Sequence, residues 1–587
     1  MKYSFIFLCS LFVLKSTLGF MHGIRIPDEI KEKIIEHLDP AVDIKQGTIQ
    51  GSAELSRNGR VFLSFKGIPY GKVPRRFNNA QPADSWKGVR SAKAFGPICA
   101  QVNVLSKTFY GSEDCLSLNV FVPKTESKSE ESLPVLVWIY GGVFLMGESK
   151  IYQPNYIMDE DVILVTLNYR VASFGFLNAG IKGASGNQGL KDMVLALKWV
   201  QENIGVFGGD VNKVTIFGES AGGAAVSHLV ASPMSKGLFH AAISQSGVAT
   251  IGWALYPDPE FDEPKKLAQA VDCPTSNLEY MVDCLRKVKP EILAEATDFR
   301  DSVWFQRMKT PVMAPGIEYY MGDGNDTVFL SKTTEAIFDE GTFNKVPFLI
   351  GVTSHEGLAL HAAPIVLSPS NTKKVNEQWG RVAPEALFYW NLALDPCRVS
   401  TKLRNAYFQD RKINTENVDD LRQLYSDMGF EYPARKVGIK HARFAPVYFY
   451  NFTRNVKRSF VDLYGWKAKN VEAKPPTHGD DMQFLFNGLR LWPDIKKEMA
   501  DYEFSTNYVK LWTSFAKTGK PSHIWGSQIE ANTTILPVNA TAEKHDWLLI
   551  DNELGVQTET EDFLERMRVL DEICRVDFDY CSSLNMK

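Results

Sequence analysis

Short apolar runs alternate with longer amphipathic ones through the middle of the chain. Residues 133–140, 162–168, 214–217 and 348–352 are brief and rich in Val, Ile and aromatic side chains, the pattern of strands buried on both faces. Between them, Leu190, Met193, Leu197 and Val200 recur at three- and four-residue spacing, which predicts a helix over 190–203 with one apolar face. Strand and helix in alternation predict an α/β fold with a central, mostly parallel sheet flanked by helices. The polar stretch at 124–132 predicts an exposed loop. No internal repeat or long low-complexity tract marks a linker. One elaborated domain over residues 20–587 is therefore the simplest organisation, although 587 residues would by length alone suggest about four domains.

The first nineteen residues break this pattern. Lys2, an apolar run over 3–14 and the small residues Thr17 and Gly19 predict a cleaved secretory leader at 1–19, too short to span a bilayer. No later run is long and apolar enough to span one, and the C-terminus shows neither a lipid-anchor tail nor a retention signal. The chain is thus expected to be secreted, with no membrane anchor. Composition adds that 44% hydrophobic and 23% charged residues are ordinary for a globular core, and that a net charge of -4 offers no basic stripe for nucleic acid. Of eight cysteines, Cys9 lies in the leader. The close pairs Cys99 with Cys115 and Cys273 with Cys284 are expected as local disulfides, each worth about 3 kcal/mol by loop closure. Cys397, Cys574 and Cys581 remain, an odd number that leaves at least one thiol outside any intrachain pair. Sequons stand at Asn325, Asn451, Asn532 and Asn539. No His/Cys spacing suits zinc, so neither a metal nor a cofactor is expected.

One motif carries chemistry. The apolar run at 214–217 leads directly into Gly-Glu-Ser-Ala-Gly at 218–222, and a helix-compatible stretch follows. A nucleophile on a tight strand-to-helix turn needs glycine on both sides, because a Cβ would collide in so sharp a bend. Ser220 occupies that place, at a helix N-terminus that favours developing negative charge. Attack on a carbonyl also needs donors for the oxygen that becomes anionic. The run at 133–140 ends in a glycine loop, Tyr-Gly-Gly-Val-Phe at 140–144. The N–H groups of Gly142 and Val143, with that of Ala221, are the candidate oxyanion donors.

A set of motifs in fixed order carries a resemblance: Phe-Lys-Gly-Ile-Pro-Tyr-Gly at 65–71, Ser-Glu-Asp-Cys-Leu at 112–116, Asn-Tyr-Arg at 168–170, Gly-Asn-Gln-Gly-Leu-Lys-Asp at 186–192, Gly-Gly-Asp at 208–210, Gly-Glu-Ser-Ala-Gly-Gly at 218–223 and Gln-Ser-Gly at 245–247. The chain resembles, over about residues 45 to 550, the type B carboxylesterase and cholinesterase family, most like its secreted insect members. The resemblance implies an α/β-hydrolase fold and a Ser, Glu, His triad, with the partners following the nucleophile in the order acid, then base. His478, in Lys-Pro-Pro-Thr-His-Gly-Asp-Asp at 474–481, matches the family's base segment. Glu356, in Gly-Val-Thr-Ser-His-Glu-Gly at 351–357, matches its acid, which orients the imidazole. Asp480 and Asp481 are rival carboxylates, better read as capping the base loop. Glu219, His355 and Ser246 read as neighbours of the triad. His228, two turns beyond Ser220 on the same helix, cannot turn back to the hydroxyl.

The resemblance also bears on substrate. Cholinesterases place a tryptophan between the first two cysteines to hold a quaternary ammonium; here Leu105 stands at that offset, so choline esters are disfavoured. Trp253 matches an acyl-pocket position. The family's glycine loop has a third small residue where this chain has Val143, which weighs against bulky acyl groups. The expected function is a secreted serine carboxylesterase acting on small, uncharged carboxylic esters. The alternatives are a weak or inactive binding or adhesion protein on the same fold, a lipase, or a hormone-type esterase. Against the last, hormone esterases of the family usually carry Gln where this chain has Glu219.

Overall fold

The computed structural model describes residues 38–103, 108–124, 131–297, 313–320, 328–390, 392–465, 473–490, 492–522 and 536–577. The leader, Leu105, Asn325, Asn532 and Cys581 lie outside the described residues.

Eleven strands form the central sheet. In chain order they are β1 (Ser52–Leu55), β2 (Val61–Pro69), β3 (Ser117–Pro123), β4 (Leu133–Ile139), β5 (Ile163–Leu167), β6 (Gly209–Glu219), β7 (Ala241–Gln245), β8 (Phe348–Thr353), β9 (Val447–Phe452), β10 (Asp546–Ile550) and β11 (Leu554–Thr558). Across the sheet they run β11-β10-β9-β8-β7-β6-β4-β5-β3-β2-β1. Neighbours from β5 to β10 pair in parallel, and antiparallel pairs close both margins. The four apolar runs became β4, β5, β6 and β8, and the expected helix is α1 (Gln188–Asn203). Strand β6 begins five residues earlier than its apolar run suggested. Its first half, with Asp210, Asn212 and Lys213, is polar and partly exposed, so periodicity gave no sign of it.

Connections cover the faces. Helix α2 (Ala221–Ala231) follows β6 and is buried along its whole length. Helix α1 carries Asp192, which clamps Arg170 in a buried bidentate pair, Nε to Oδ2 and Nη2 to Oδ1, both 2.8 Å. That pair gives a physical reason for the two motifs at 168–170 and 186–192. A second apolar cluster, separate from the sheet core, gathers residues between Leu358 and Tyr425 with Met567, Leu570 and Ile573 of the C-terminal helix.

Both close cysteine pairs, Cys99–Cys115 and Cys273–Cys284, are bonded. Cys574 is also disulfide-bonded, and Cys397 is a free, exposed thiol. Of the two sequons within the described residues, Asn539 is exposed and its Oδ1 accepts from the N–H and hydroxyl of Thr541. Asn451 sits inside β9 between β8 and β10, half-buried, its Oδ1 sealed from water. No helix among the described residues is long and apolar enough to cross a membrane.

Asp192→Ala should lower stability by about 3–5 kcal/mol in denaturant unfolding, because it strands the buried Arg170 guanidinium. An unchanged midpoint would show that the pair adds nothing to the fold.

Candidate active site

The carboxyl ends of parallel strands leave a crevice where loops converge, and three loops meet there. Ser220 stands at the end of β6 with φ 57° and ψ −125°, a backbone that L residues avoid. Its own N–H is tied to the carbonyl of Gln245 at 2.9 Å. A methyl on Gly222 would strike the carbonyl of Ile139, and one on Gly218 would strike Gly222. The bend therefore closes only with glycine at both places, and it lifts the serine hydroxyl out of the sheet.

Glu356 lies three residues past β8 and is wholly buried. Its Oε1 accepts from the N–H of Thr353 at 2.7 Å. His478 reaches both groups: Nε2 lies 2.8 Å from Ser220 Oγ, and Nδ1 lies 2.7 Å from Glu356 Oε2. The loop carrying His478 is joined to the loop of Glu356 by the N–H of His355, which donates to the carbonyl of Pro476 at 3.1 Å.

Neither rival carboxylate touches the imidazole. Asp480 caps the base loop, accepting from Thr477 N–H and hydroxyl, Ser459 Oγ and Phe460 N–H at 2.5–2.9 Å. Asp481 accepts from Gln245 Nε2 at 2.8 Å and from the Tyr508 hydroxyl at 3.0 Å. Through Gln245 it thus links the base loop to the carbonyl that anchors Ser220. Among the described residues, Ser246 Oγ has no hydrogen-bond partner. His355 is turned away, with Nδ1 on Ser354 Oγ at 2.9 Å. His228 gives Nε2 to the carbonyl of Ala254 at 2.7 Å, so it holds the segment carrying Trp253 against α2.

The crowd of acids sets the electrostatics. Burial raises Glu219 to about 8, against the pull of His478. Burial alone would lower His478, but Glu219, with Oε1 3.3 Å from Nε2, together with Glu356 and Asp481, outweighs it and raises the imidazole to about 9. Burial likewise lifts Asp480 to about 7 and Asp481 to about 6.

Opposite the serine, the glycine loop turns sharply. Gly142 has φ 122°, and Val143 and Phe144 hold φ 57° and 60°; a β-branched residue in that region is strained. The carbonyl of Gly142 accepts from Leu145 and Met146 at 3.0 and 3.1 Å. Among the described residues, the N–H groups of Gly142, Val143 and Ala221 donate to no protein acceptor. The loop stands on Tyr140, whose ring stacks on Tyr169 at 4.3 Å while each hydroxyl donates to the other's carbonyl. Trp253 is buried and meets Phe430 at 6.2 Å, and Phe430 meets the His478 ring at 4.8 Å. Phe430 had no sequence signal beyond its place in a helical pattern ahead of a proline.

The chain is similar to known esterases. A model described as the carboxylesterase family matches residues 38–568. The juvenile hormone esterase of Tribolium castaneum is 36% identical over 82% of this chain and 84% of its own length. Esterase E4 of Myzus persicae is 34% identical over 83% and 86%. The crystal structure of juvenile hormone esterase from Manduca sexta, with OTFP covalently attached, superposes with a TM-score of 0.79 at 26% identity, covering 91% of this chain and 99% of that one.

Gly222→Ala should cut labelling of Ser220 by a fluorophosphonate probe about 100-fold, since displacements near 1 Å carry that cost. Undiminished labelling would mean that the turn tolerates a Cβ.

Proposed function

The chain belongs to the carboxylesterase family and is a carboxylic ester hydrolase, and from that premise we propose that it is a secreted serine carboxylesterase, freed of a leader at 1–19, that cleaves uncharged esters through an acyl-enzyme on Ser220. The observation that carries the reading is the continuous hydrogen-bonded line from Ser220 Oγ through His478 to Glu356, at 2.8 and 2.7 Å.

In the proposed mechanism Ser220 Oγ attacks the ester carbonyl as His478 Nε2 takes its proton. Glu356 accepts from Nδ1–H, fixes the reactive tautomer and stabilises the imidazolium. The N–H groups of Gly142, Val143 and Ala221 receive the oxyanion, and each such donor is worth about 2.7–4 kcal/mol. The imidazolium returns its proton to the departing alkoxide, and water then cleaves the acyl-enzyme by the same route. Glu219 Oε1 lies 3.3 Å from Nε2, on the nitrogen that faces Ser220 Oγ, and its charge favours the imidazolium. Only the form with Nε2 free can act as base.

The identity to a juvenile hormone esterase of an insect supports a second reading, a hormone-type substrate. Parallel rates on juvenile hormone and 4-nitrophenyl acetate separate the two readings. A preference of more than about tenfold in kcat/KM for the hormone would favour the second.

Ser220→Ala and His478→Ala should each abolish turnover of 4-nitrophenyl acetate by at least about 10³-fold; activity retained in His478→Ala would overturn the assignment of the base. Because His478 is displaced upward, kcat/KM should rise with pH along a limb that inflects above the ordinary value of about 6.5. In Glu219→Gln that limb should move to lower pH, since a charge that favours the imidazolium is gone. A limb unmoved by Glu219→Gln would remove Glu219 from the base's environment.

A further inference from the structure

Residues 99–115 form a loop closed at its neck by the Cys99–Cys115 disulfide. Inside it the two-residue strands Gln101–Val102 and Phe109–Tyr110 pair antiparallel, with Gln101 opposite Tyr110. The N–H of Ala100 donates to the carbonyl of Ser112 at 3.0 Å, and the N–H of Ser112 to that of Ile98 at 2.8 Å, so the hairpin continues down to the disulfide. Gln101 is polar yet wholly buried. A buried amide is costly unless its donors and its acceptor are met, and here all of them are.

What meets the amide is the far limb of the oxyanion loop. Gln101 Nε2 donates to the carbonyl of Gly147 at 2.9 Å, and Oε1 accepts from the Gly147 N–H at 2.8 Å. Nε2 also donates to the carbonyl of Cys99 at 2.9 Å, and Oε1 accepts a second bond, from the Tyr110 hydroxyl at 2.8 Å. Both amide hydrogens and both lone pairs of the oxygen are thus in use. The partners also fix which way the amide faces, since the reverse orientation would set its oxygen against two carbonyls. Burial, and then Glu148, push the Tyr110 hydroxyl up to about 12, so it remains a donor at neutral pH.

Gly147 is the point where the loop returns on its own beginning. It holds φ 135°, and a Cβ there would strike the ring of Tyr140 and the carbonyl of Gly141. Residue 147 therefore lies against the two residues directly ahead of the candidate donors at Gly142 and Val143. The strained backbone from Gly142 to Phe144 persists only if its surroundings hold it. Tyr169 holds Tyr140, the N–H of Ala172 holds the carbonyl of Phe144 at 2.8 Å, and Gln101 holds both backbone groups of Gly147.

We propose that Gln101 is a positioning residue for ester hydrolysis: by gripping Gly147 it keeps the N–H groups of Gly142 and Val143 where the oxyanion forms, and Tyr110 fixes the amide in the orientation that grips. The proposal rests on the Ser220 reading above. Gln101 acts through the loop and touches no reacting atom. An oxyanion exists only beyond the bound ester, so loosening the grip slows the chemical steps and leaves ester binding intact.

The test compares wild type with Gln101→Met, which keeps the length of the side chain without its amide, and with Tyr110→Phe, which removes one partner of the amide. Active sites are counted by fluorophosphonate labelling taken to completion, and thermal unfolding is followed alongside. Two quantities are read per labelled site: kcat and KM on 4-nitrophenyl acetate, and the inhibition constant of trifluoroacetophenone. With that ketone Ser220 Oγ bonds the carbonyl carbon, His478 takes the hydroxyl proton, and the carbonyl oxygen becomes the oxyanion. In Gln101→Met kcat should fall about 10- to 100-fold. KM should stay within about threefold, because acylation and deacylation pass through the same oxyanion. The inhibition constant should rise by the factor by which kcat falls. Tyr110→Phe should move both in the same direction, by about threefold. A merely structural role would lower the number of labelled sites and the melting temperature while leaving kcat and ketone affinity per site at wild-type values; that result in Gln101→Met overturns the proposal. So does a higher KM with kcat intact. If Gln101→Met yields no folded protein, Tyr110→Phe decides, and wild-type ketone affinity there overturns the proposal. Ser220→Ala run in parallel separates the two levels: turnover that persists there sinks the Ser220 reading, and this proposal with it, whereas Ser220-dependent turnover that Gln101→Met leaves unchanged sinks the proposal alone.

Discussion

The backbone bend at Ser220 is the constraint on which the site depends. A residue at φ 57° and ψ −125° costs on the order of 1–3 kcal/mol and persists only where its surroundings over-determine it. Here they do. Gly218 and Gly222 pass against each other and against the end of β4, the Gln245 carbonyl holds the Ser220 N–H, and α2 departs fully buried between the sheet and its cover. The oxyanion loop repeats the device at Val143 and Phe144, again on a buried support, the reciprocal pair of Tyr140 and Tyr169. Both strained turns sit at the ends of adjacent strands whose last residues are buried.

Electrostatics adds a second layer. Glu219, Glu356, Asp480 and Asp481 surround one imidazole in a buried space, an arrangement that self-repulsion would oppose if all four were ionised and unpaired. The structure divides the load. Asp480 is met by four donors from its own and the neighbouring loop, and Asp481 by Gln245 and Tyr508, while Glu219 and Glu356 approach opposite nitrogens of His478. Capping, bracing and orientation thus fall to different acids, although three of the four lie within a few residues of the base or the nucleophile in sequence.

What the sequence by itself determined was whatever is encoded locally. Apolar runs with helical intervals required a parallel sheet, and the glycines around Ser220 required a sharp strand-to-helix turn, because the excluded volume of a Cβ acts between near neighbours. Motif order was enough for the resemblance that pointed to Glu356 and His478. The two short-range disulfides were legible for the same reason, their partners being 16 and 11 residues apart. Tertiary structure alone decided the rest. That Glu356 rather than Asp480 or Asp481 meets Nδ1, that Ser246 Oγ has no partner among the described residues, and that Glu219 lies 3.3 Å from Nε2 all depend on where three loops, 258 residues apart at the extremes, come to lie. Phe430 was hidden because what marks it is a ring contact with His478 at 4.8 Å, between segments that no local pattern links. Hydrogen bonds and ring contacts act over a few ångströms, so the side chains that tune the site are selected by the meeting of distant segments, which no local pattern records.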